Sequence, residues 1–396
     1  MYGAIIGDVA GSIYEVMEIN AKKKKTVRSK MERTIILDKN TPLFTNMSSM
    51  TDDSVLTCSV ADSILNDVSY EKKLKEYGIK ELELGDDLYG RNRFGSGFIK
   101  WLHDSSNGNS YGNGCAMRIS PVGYLFNDLE KIKKESKLAT ITSHNNPESI
   151  ICSEAVAVSI YLLRNGMSKS NLKKYIEDNY FKLNFDLEDL RNNYTFTSKA
   201  LNSVPQAIFI FLASNNFEET IRNAISIGGD SDTIACIAGS IAESFYEIPE
   251  ILIKEVNKYI PNNYKKIVNE FYLRLEFNNF MKQNKMYNKD FTDYLKDKIK
   301  IIDIDDKSWF GCFPIIDNKD KLTSIRLLLP KLNSIDNLLV WIHEYTHAYE
   351  LYKKLENTYV ENKCESERKA IYMEEKYKQL KLTKSKKIWL LRTKVL

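Results

Sequence analysis

Apolar residues in the first two thirds of the chain recur at intervals of three and four, the period that lines one face of an α-helix, with Gly, Asn, Ser and Pro between the runs. The pattern predicts helices over residues 4–14, 54–66, 94–102, 149–163, 203–214, 217–227 and 233–243, with a short amphipathic piece at 168–178. Alternating β-branched runs are scarce, so residues 1–272 are expected to form an all-α domain. A Lys-rich, weakly periodic stretch at 21–39 reads as a solvated surface loop. Residues 273–307 turn to Lys, Asn, Asp and Tyr without a glycine, which predicts a charged helical connector. Residues 308–396 then offer a strand at 321–329, ending at Pro330, and helices at 337–354 and about 365–380, the outline of a small α+β domain. After Glu375 the chain has eight Lys or Arg and no acid, the pattern of a solvated basic helix face.

Composition narrows the class. At 396 residues, with 43% hydrophobic and 28% charged positions, the chain is long enough for two buried cores, which excludes a disordered or fibrous protein. A formal net charge of +4 is too small to imply a nucleic-acid or membrane partner by itself. Six scattered cysteines without CxxC pairs read as reduced thiols. Asp8 and Glu15 interrupt the first apolar stretch, and no segment has about eighteen uncharged apolar residues. A cytoplasmic protein without signal peptide or membrane span is therefore expected. Only four histidines are present, at 103, 144, 343 and 347, so imidazole chemistry is confined to very few places.

Two acidic clusters stand at predicted helix starts. Thr51, Asp52, Asp53 and Ser54 precede one apolar run, and Gly228, Gly229, Asp230, Ser231, Asp232 and Thr233 precede another. One Asp or Thr oxygen is enough to cap a first turn, yet each cluster brings two carboxylates and a threonine hydroxyl, which suits Mg²⁺ or Mn²⁺. Capping and metal binding are both compatible with these residues taken alone. The segment Ser110, Tyr111, Gly112, Asn113, Gly114 has two glycines that let backbone approach an anion; as an isolated motif it is also a tight turn. Asp8 and Glu15 are two turns apart and share a helix face.

In order, GDVAGSIYE, TDDS, SYGNGCAMRISPVG, SHNNPE and SIGGDSDTIACIAGSIAESF closely resemble the ADP-ribosylglycohydrolase family over about residues 1–255. The resemblance implies an all-α orthogonal helical bundle with two Mg²⁺ ions, or Mn²⁺, in a central cleft. It implies ligation by Thr51, Asp52, Asp53, Asp230, Asp232 and Thr233. Glu15 is the expected general acid/base, with Asp53 as the competing activator of water. Gly112, Asn113 and Gly114 are expected to line a pyrophosphate, Tyr111 to stack on adenine, and Ser110, Met117 and His144 to contact substrate. The implied reaction is Mg²⁺-dependent hydrolysis of the C1″ glycosidic bond of an ADP-ribosyl group on protein, nucleic acid or a small molecule. Nucleic acid enters only as such a modified substrate.

In the second domain, His343, Glu344 and His347 form an HExxH sequence inside a predicted helix. Residues i and i+4 present both imidazoles on one face, and the Glu between them can act as general base on a metal-bound water. The segment resembles the core of gluzincin-type metallopeptidases over about residues 308–380, which implies Zn²⁺ held by His343, His347 and Glu367, with Glu365 the alternative third ligand, in a zincin-like module with Glu344 catalytic. The whole chain is thus expected to be an ADP-ribosyl hydrolase joined to a zinc peptidase module. The alternative is a non-hydrolytic ADP-ribose-binding sensor coupled to the same metallopeptidase.

Overall fold

Gly3, Gly7 and Gly11 are four residues apart and so form a stripe without side chains along one face of the first helix, Tyr2–Lys23. In the computed structural model this stripe lies directly on helix Ser231–Ala242, running antiparallel to it. A Cβ on Gly3 would meet the Gly239 carbonyl oxygen at 2.2 Å, one on Gly7 the Ala235 carbonyl oxygen at 2.1 Å, and one on Gly11 the Asp232 Cα at 2.4 Å. Every residue of Ser231–Ala242 is buried, and helices Asp52–Leu65, Pro147–Arg164, Val204–Ala213 and Phe217–Ser226 pack around it.

The structure describes residues 1–24, 26, 28–104, 108–286, 291, 294–295, 298–302, 311–316, 322–353 and 363–383, in two compact units, Met1–Val268 and Asn269–Leu396. Every regular element among the described residues of the first unit is a helix, as its 3.6-residue period predicts. Helix starts follow local chemistry: the side chains of Ser69, Asp128, Asn146, Ser168, Asp186 and Asn216 each accept from a first-turn amide, and Pro121, Pro147 and Pro205 occupy first positions where no amide is needed.

The expected loop at 21–39 is only partly a loop. The first helix runs to Lys23, and a capping box of Ser29 and Glu32 starts a short helix, Lys30–Thr34. Arg33 on that helix is buried, its guanidinium donating to both Glu18 oxygens at 2.9 and 3.0 Å and to the Tyr194 carbonyl. The Lys-rich composition hid this inward-facing cation and its neighbour Arg28, which also pairs with Glu18.

The second unit departs from the sequence expectation in its first part. Among the described residues of 273–307, where a charged connector is expected, Leu273, Phe277, Phe280, Met281, Phe291 and Leu295 are buried in one core with Leu327, Trp341 and Ile342. Charged residues between these apolar positions masked a helical face, and helix Asn262–Gln283 passes through the expected boundary at 272. Strands β1 (Ile299–Ile302), β2 (Gly311–Ile316) and β3 (Leu322–Pro330) form a mixed sheet in the order β1-β3-β2, with β1 parallel and β2 antiparallel to β3. Helix Ile335–Tyr352 packs on β2 and β3, and helix Lys363–Thr383 packs on Ile335–Tyr352. The basic stretch at 384–396 lies outside the described residues. No described helix is long and apolar enough to cross a membrane.

Candidate active site

Close packing of the first helix on Ser231–Ala242 brings together acids that are more than two hundred residues apart. Asp8, Asp53 and Asp232 each offer an oxygen within 4.8 Å of the others, and so do Glu15, Asp230 and Asp232. Asp232 belongs to both groups. Asp8, Asp53, Asp230 and Asp232 are buried, and Asp52 and Glu15 stand half-buried at the wall of a cavity of about 780 Å³.

Capping does not account for these carboxylates. Thr51 itself caps helix Asp52–Leu65, accepting from the Asp53 amide, while Asp230, at the cap position of Ser231–Ala242, makes no side-chain cap hydrogen bond. Gly228 and Gly229 bend the backbone into that helix at φ +73° and +74°, where a Cβ would strike the Arg33–Glu18 pair and the Tyr194 ring. Asp8 is fixed by three donors, the Thr51 amide at 3.0 Å, the Thr51 hydroxyl at 2.6 Å and the Ser54 amide at 3.1 Å. It thereby ties the first helix to the TDDS motif. Asp53 Oδ2 accepts from the Thr51 and Thr233 hydroxyls, both at 3.3 Å, whereas its buried Oδ1 has no hydrogen-bond partner.

Among the described residues, Glu15 alone of these six acids is in an ion pair, with Arg91 at 2.9 Å. Burial, followed by repulsion from Asp230 and Asp8, raises the Glu15 carboxyl to about 7 despite Arg91, and burial raises Asp8 to about 6. Asp52, Asp53 and Asp232 are pushed well above the usual carboxylate range by burial and by one another. An unpartnered buried carboxylate oxygen, and five acids without a cation, fit a hard divalent ion bound by oxygen.

Proton linkage makes this testable. Raised carboxyls mean that the folded chain holds protons the unfolded chain has released; stability from these groups is full below pH 4 and is lost as pH rises through 6 to 7. A divalent cation bound there would replace those protons. Thermal unfolding should therefore show a larger Mg²⁺-induced rise in Tm at pH 8 than at pH 5; an equal rise would contradict this electrostatic account.

The glycine segment also lines the cavity, pinned by the bridges Asn109–His144 and Gly112–Lys199. Tyr111 stands 54% exposed at its edge with Lys199 over the ring, a surface open to stacking. The expected amide cradle is reduced: the Gly112 amide donates to Ser110 Oγ and the Asn113 amide to the Ser198 carbonyl. Asn113 turns its side chain inward to Asp230 at 2.7 Å, so it braces a carboxylate. Met117 lies beneath Thr233, and its carbonyl accepts from Thr57 and Cys236. Cys115 is fully buried and its thiol is pushed up by burial, which removes it as a nucleophile.

Asp8, Arg91, Arg118 and Phe196 were not assigned from sequence, yet Asp8 is in the cluster and the others line the cavity. Only Asp8 had a readable signal, its position two turns from Glu15.

A second cluster lies in the other unit. His343 and His347 place their Nε2 atoms 3.1 Å apart, with Glu367 oxygens 3.5 and 3.3 Å from them, and a Glu374 oxygen lies 2.5 Å from His343 Nδ1. Glu344, half-buried, is raised by burial.

Comparison with known proteins covers the first unit. A family model described as ADP-ribosylglycohydrolase matches residues 1–276. ADP-ribosylhydrolase ARH3 of Gallus gallus is 26% identical over 257 residues, 50% of this chain and 70% of that protein. The Homo sapiens ARH3 is 23% identical over 313 residues, 63% of this chain and 85% of that protein. A solved ADP-ribosylglycohydrolase-related protein complex is similar with a TM-score of 0.46 at 17% identity, over 69% of this chain and 92% of that chain. The family model covers well over half the chain and all of the acid-lined cavity: the chain belongs to the ADP-ribosylglycohydrolase family.

Proposed function

We propose that the first unit hydrolyses the C1″ glycosidic bond of an ADP-ribosyl group in a Mg²⁺-dependent reaction, releasing ADP-ribose from a modified acceptor. The supporting observation is the pair of carboxylate triads sharing Asp232 at the wall of a cavity large enough for a dinucleotide-sized ligand. Asp53, Asp230 and Asp232, with Thr51, Asp52 and Thr233 beside them, would hold two divalent cations. Bound there, such ions neutralise the cluster and organise ribose hydroxyls and water.

The chain's own residues do the rest. Departure of the acceptor leaves positive charge at C1″, which the carboxylate wall stabilises in a water-poor site. Glu15 at the wall can take a proton from water or give one to the leaving group, since burial raises its carboxyl above the usual carboxylate range. Arg91 holds Glu15 in place and is itself braced by Asp87, which accepts from the Arg91 Nε and amide, both at 2.9 Å. Tyr111 offers its ring to a base.

ADP-ribosylated arginine, serine and nucleic acid, each incubated with protein and Mg²⁺, test the reading through free ADP-ribose. Release from at least one, abolished by EDTA and reduced roughly a thousandfold by Glu15→Gln, is expected. Binding without release from any acceptor would favour the non-hydrolytic sensor. The relative ADP-ribosylarginine hydrolase Tri1 of Pseudomonas putida (strain GB-1), 23% identical over 149 residues, 35% of this chain and 39% of that protein, makes arginine a natural first acceptor.

A second reading concerns the other unit. Two imidazole nitrogens 3.1 Å apart and a carboxylate within 3.5 Å support a Zn²⁺ site of His343, His347 and Glu367, for which Glu344 would be the base in peptide hydrolysis. Metal analysis should find one equivalent of zinc per chain in wild type and none in His343→Ala. Equal zinc in both would remove the site.

A further inference from the structure

Arg118 is a fully buried cation, with no carboxylate partner among the described residues. Burial pushes its guanidinium down to about 10, and its Nε and Nη1 have no hydrogen-bond partner. Its Nη2 donates to Ser143 Oγ at 2.7 Å, and the same Oγ lies 2.8 Å from His144 Nδ1. The three residues form a chain that ends in the cavity, which all three help to line.

The direction of this chain follows from counting donors and acceptors. Arg118 can only donate, so Ser143 Oγ accepts from it. If His144 Nδ1 also donated to Oγ, the buried Ser143 hydroxyl proton would have no acceptor among the described residues, where these two bonds are all that Oγ makes. With Ser143 donating to Nδ1 every group is satisfied. His144 then carries its proton on Nε2. That nitrogen faces the glycine segment, 3.4 Å from where a Cβ of Gly114 would stand and 3.6 Å from that of Gly112, and has no hydrogen-bond partner among the described residues. Burial, then the charge of Arg118, holds His144 well below its ordinary pKa, so the ring is neutral.

We propose that Arg118 and Ser143 are positioning residues for His144, holding it as the neutral Nε2–H tautomer so that it donates to a phosphate oxygen of bound substrate. The inference rests on the hydrolase reading and gives the anionic part of the substrate its donor. Two of the loop amides are already spent inside the protein, and the buried Arg118 guanidinium adds positive charge behind the ring where it faces the cavity. His144 acts here as a donor and takes no proton.

With four histidines in the whole chain, ¹⁵N-histidine labelling makes the test direct. Long-range ¹H–¹⁵N spectra of the full chain, assigned with His144→Gln, should show His144 protonated on Nε2. Ser143→Ala should lose that single tautomer and Ser143→Thr, which keeps the hydroxyl, should restore it. Titration with ADP, and with adenosine as uncharged control, should show about tenfold weaker ADP binding in Ser143→Ala, unchanged adenosine binding, and recovery in Ser143→Thr. Thermal unfolding checks that each variant is folded. An Nδ1–H ring in wild type, or a Ser143→Ala variant with unaltered tautomer and ADP affinity, overturns the inference. Wild type that shows the Nε2–H ring and prefers ADP but releases no ADP-ribose from any acceptor upholds the inference and overturns only the hydrolase reading.

Discussion

Asp232→Asn is expected to lower ADP-ribose release by roughly a thousandfold or more while making the metal-free protein more stable. Asp232 is the one acid in both triads, so its loss weakens both cation positions at once. It is also buried among like charges, and burial followed by repulsion from Glu15, Asp53 and Asp230 raises its pKa. Removing that charge relieves the repulsion, so the same substitution should raise the Tm of EDTA-treated protein above that of wild type at pH 8 and erase the further rise on adding Mg²⁺. An acid kept only for stability would behave in the opposite way. A loss of activity accompanied by a fall in metal-free Tm would therefore count against the metal reading of this residue.

The second large effect is on folding. Gly7→Ala, judged by helix propensity alone, should stabilise helix Tyr2–Lys23 by about 1 kcal/mol. Packing opposes this gain and outweighs it. The new Cβ would stand 2.1 Å from the Ala235 carbonyl oxygen, a backbone atom that cannot swing aside, so the two central helices must separate. Forced overpacking of this kind costs about 3 kcal/mol, and the net loss of about 2 kcal/mol should lower Tm by roughly 6 °C. Separation of the helices also moves Asp8 and Glu15 away from Asp230 and Asp232, so Mg²⁺ affinity should fall in the variant that remains folded. Gly97→Ala, where nothing lies within 4 Å of the new Cβ, is the control without a clash. A Gly7→Ala protein as stable as wild type would refute the close helix contact.

Much of the first unit was legible because its signals are local. Helix starts announced themselves through Thr51, Asn146 and Pro147, and the amphipathic period carried the helices themselves. The acid clusters at 51–53 and 230–233 were also visible, since their excess of oxygen over what capping needs lies within four residues. What escaped depends on distant partners. Arg91 meets Glu15 across 76 positions and Arg118 meets Ser143 across 25, and no periodicity marks either cation. The loop amides show the reverse error: two glycines suggested an open cradle, and the structure uses one of the amides expected there on Ser110 and another on Ser198. In the second unit, β1 and β2 were missed because both are short and Lys300 and Pro314 interrupt their apolar runs, whereas the longer β3 was readable.

The central claim is that these carboxylates gather divalent cations around the ribose of an ADP-ribosyl group. A crystal grown with ADP-ribose and Mn²⁺, measured at the manganese absorption edge, tests it directly. The account predicts two anomalous peaks bounded by Asp53, Asp230 and Asp232, with the ribose hydroxyls against them and Glu15 facing C1″. ADP-ribose bound in the cavity with no anomalous peak near Asp232 would contradict it.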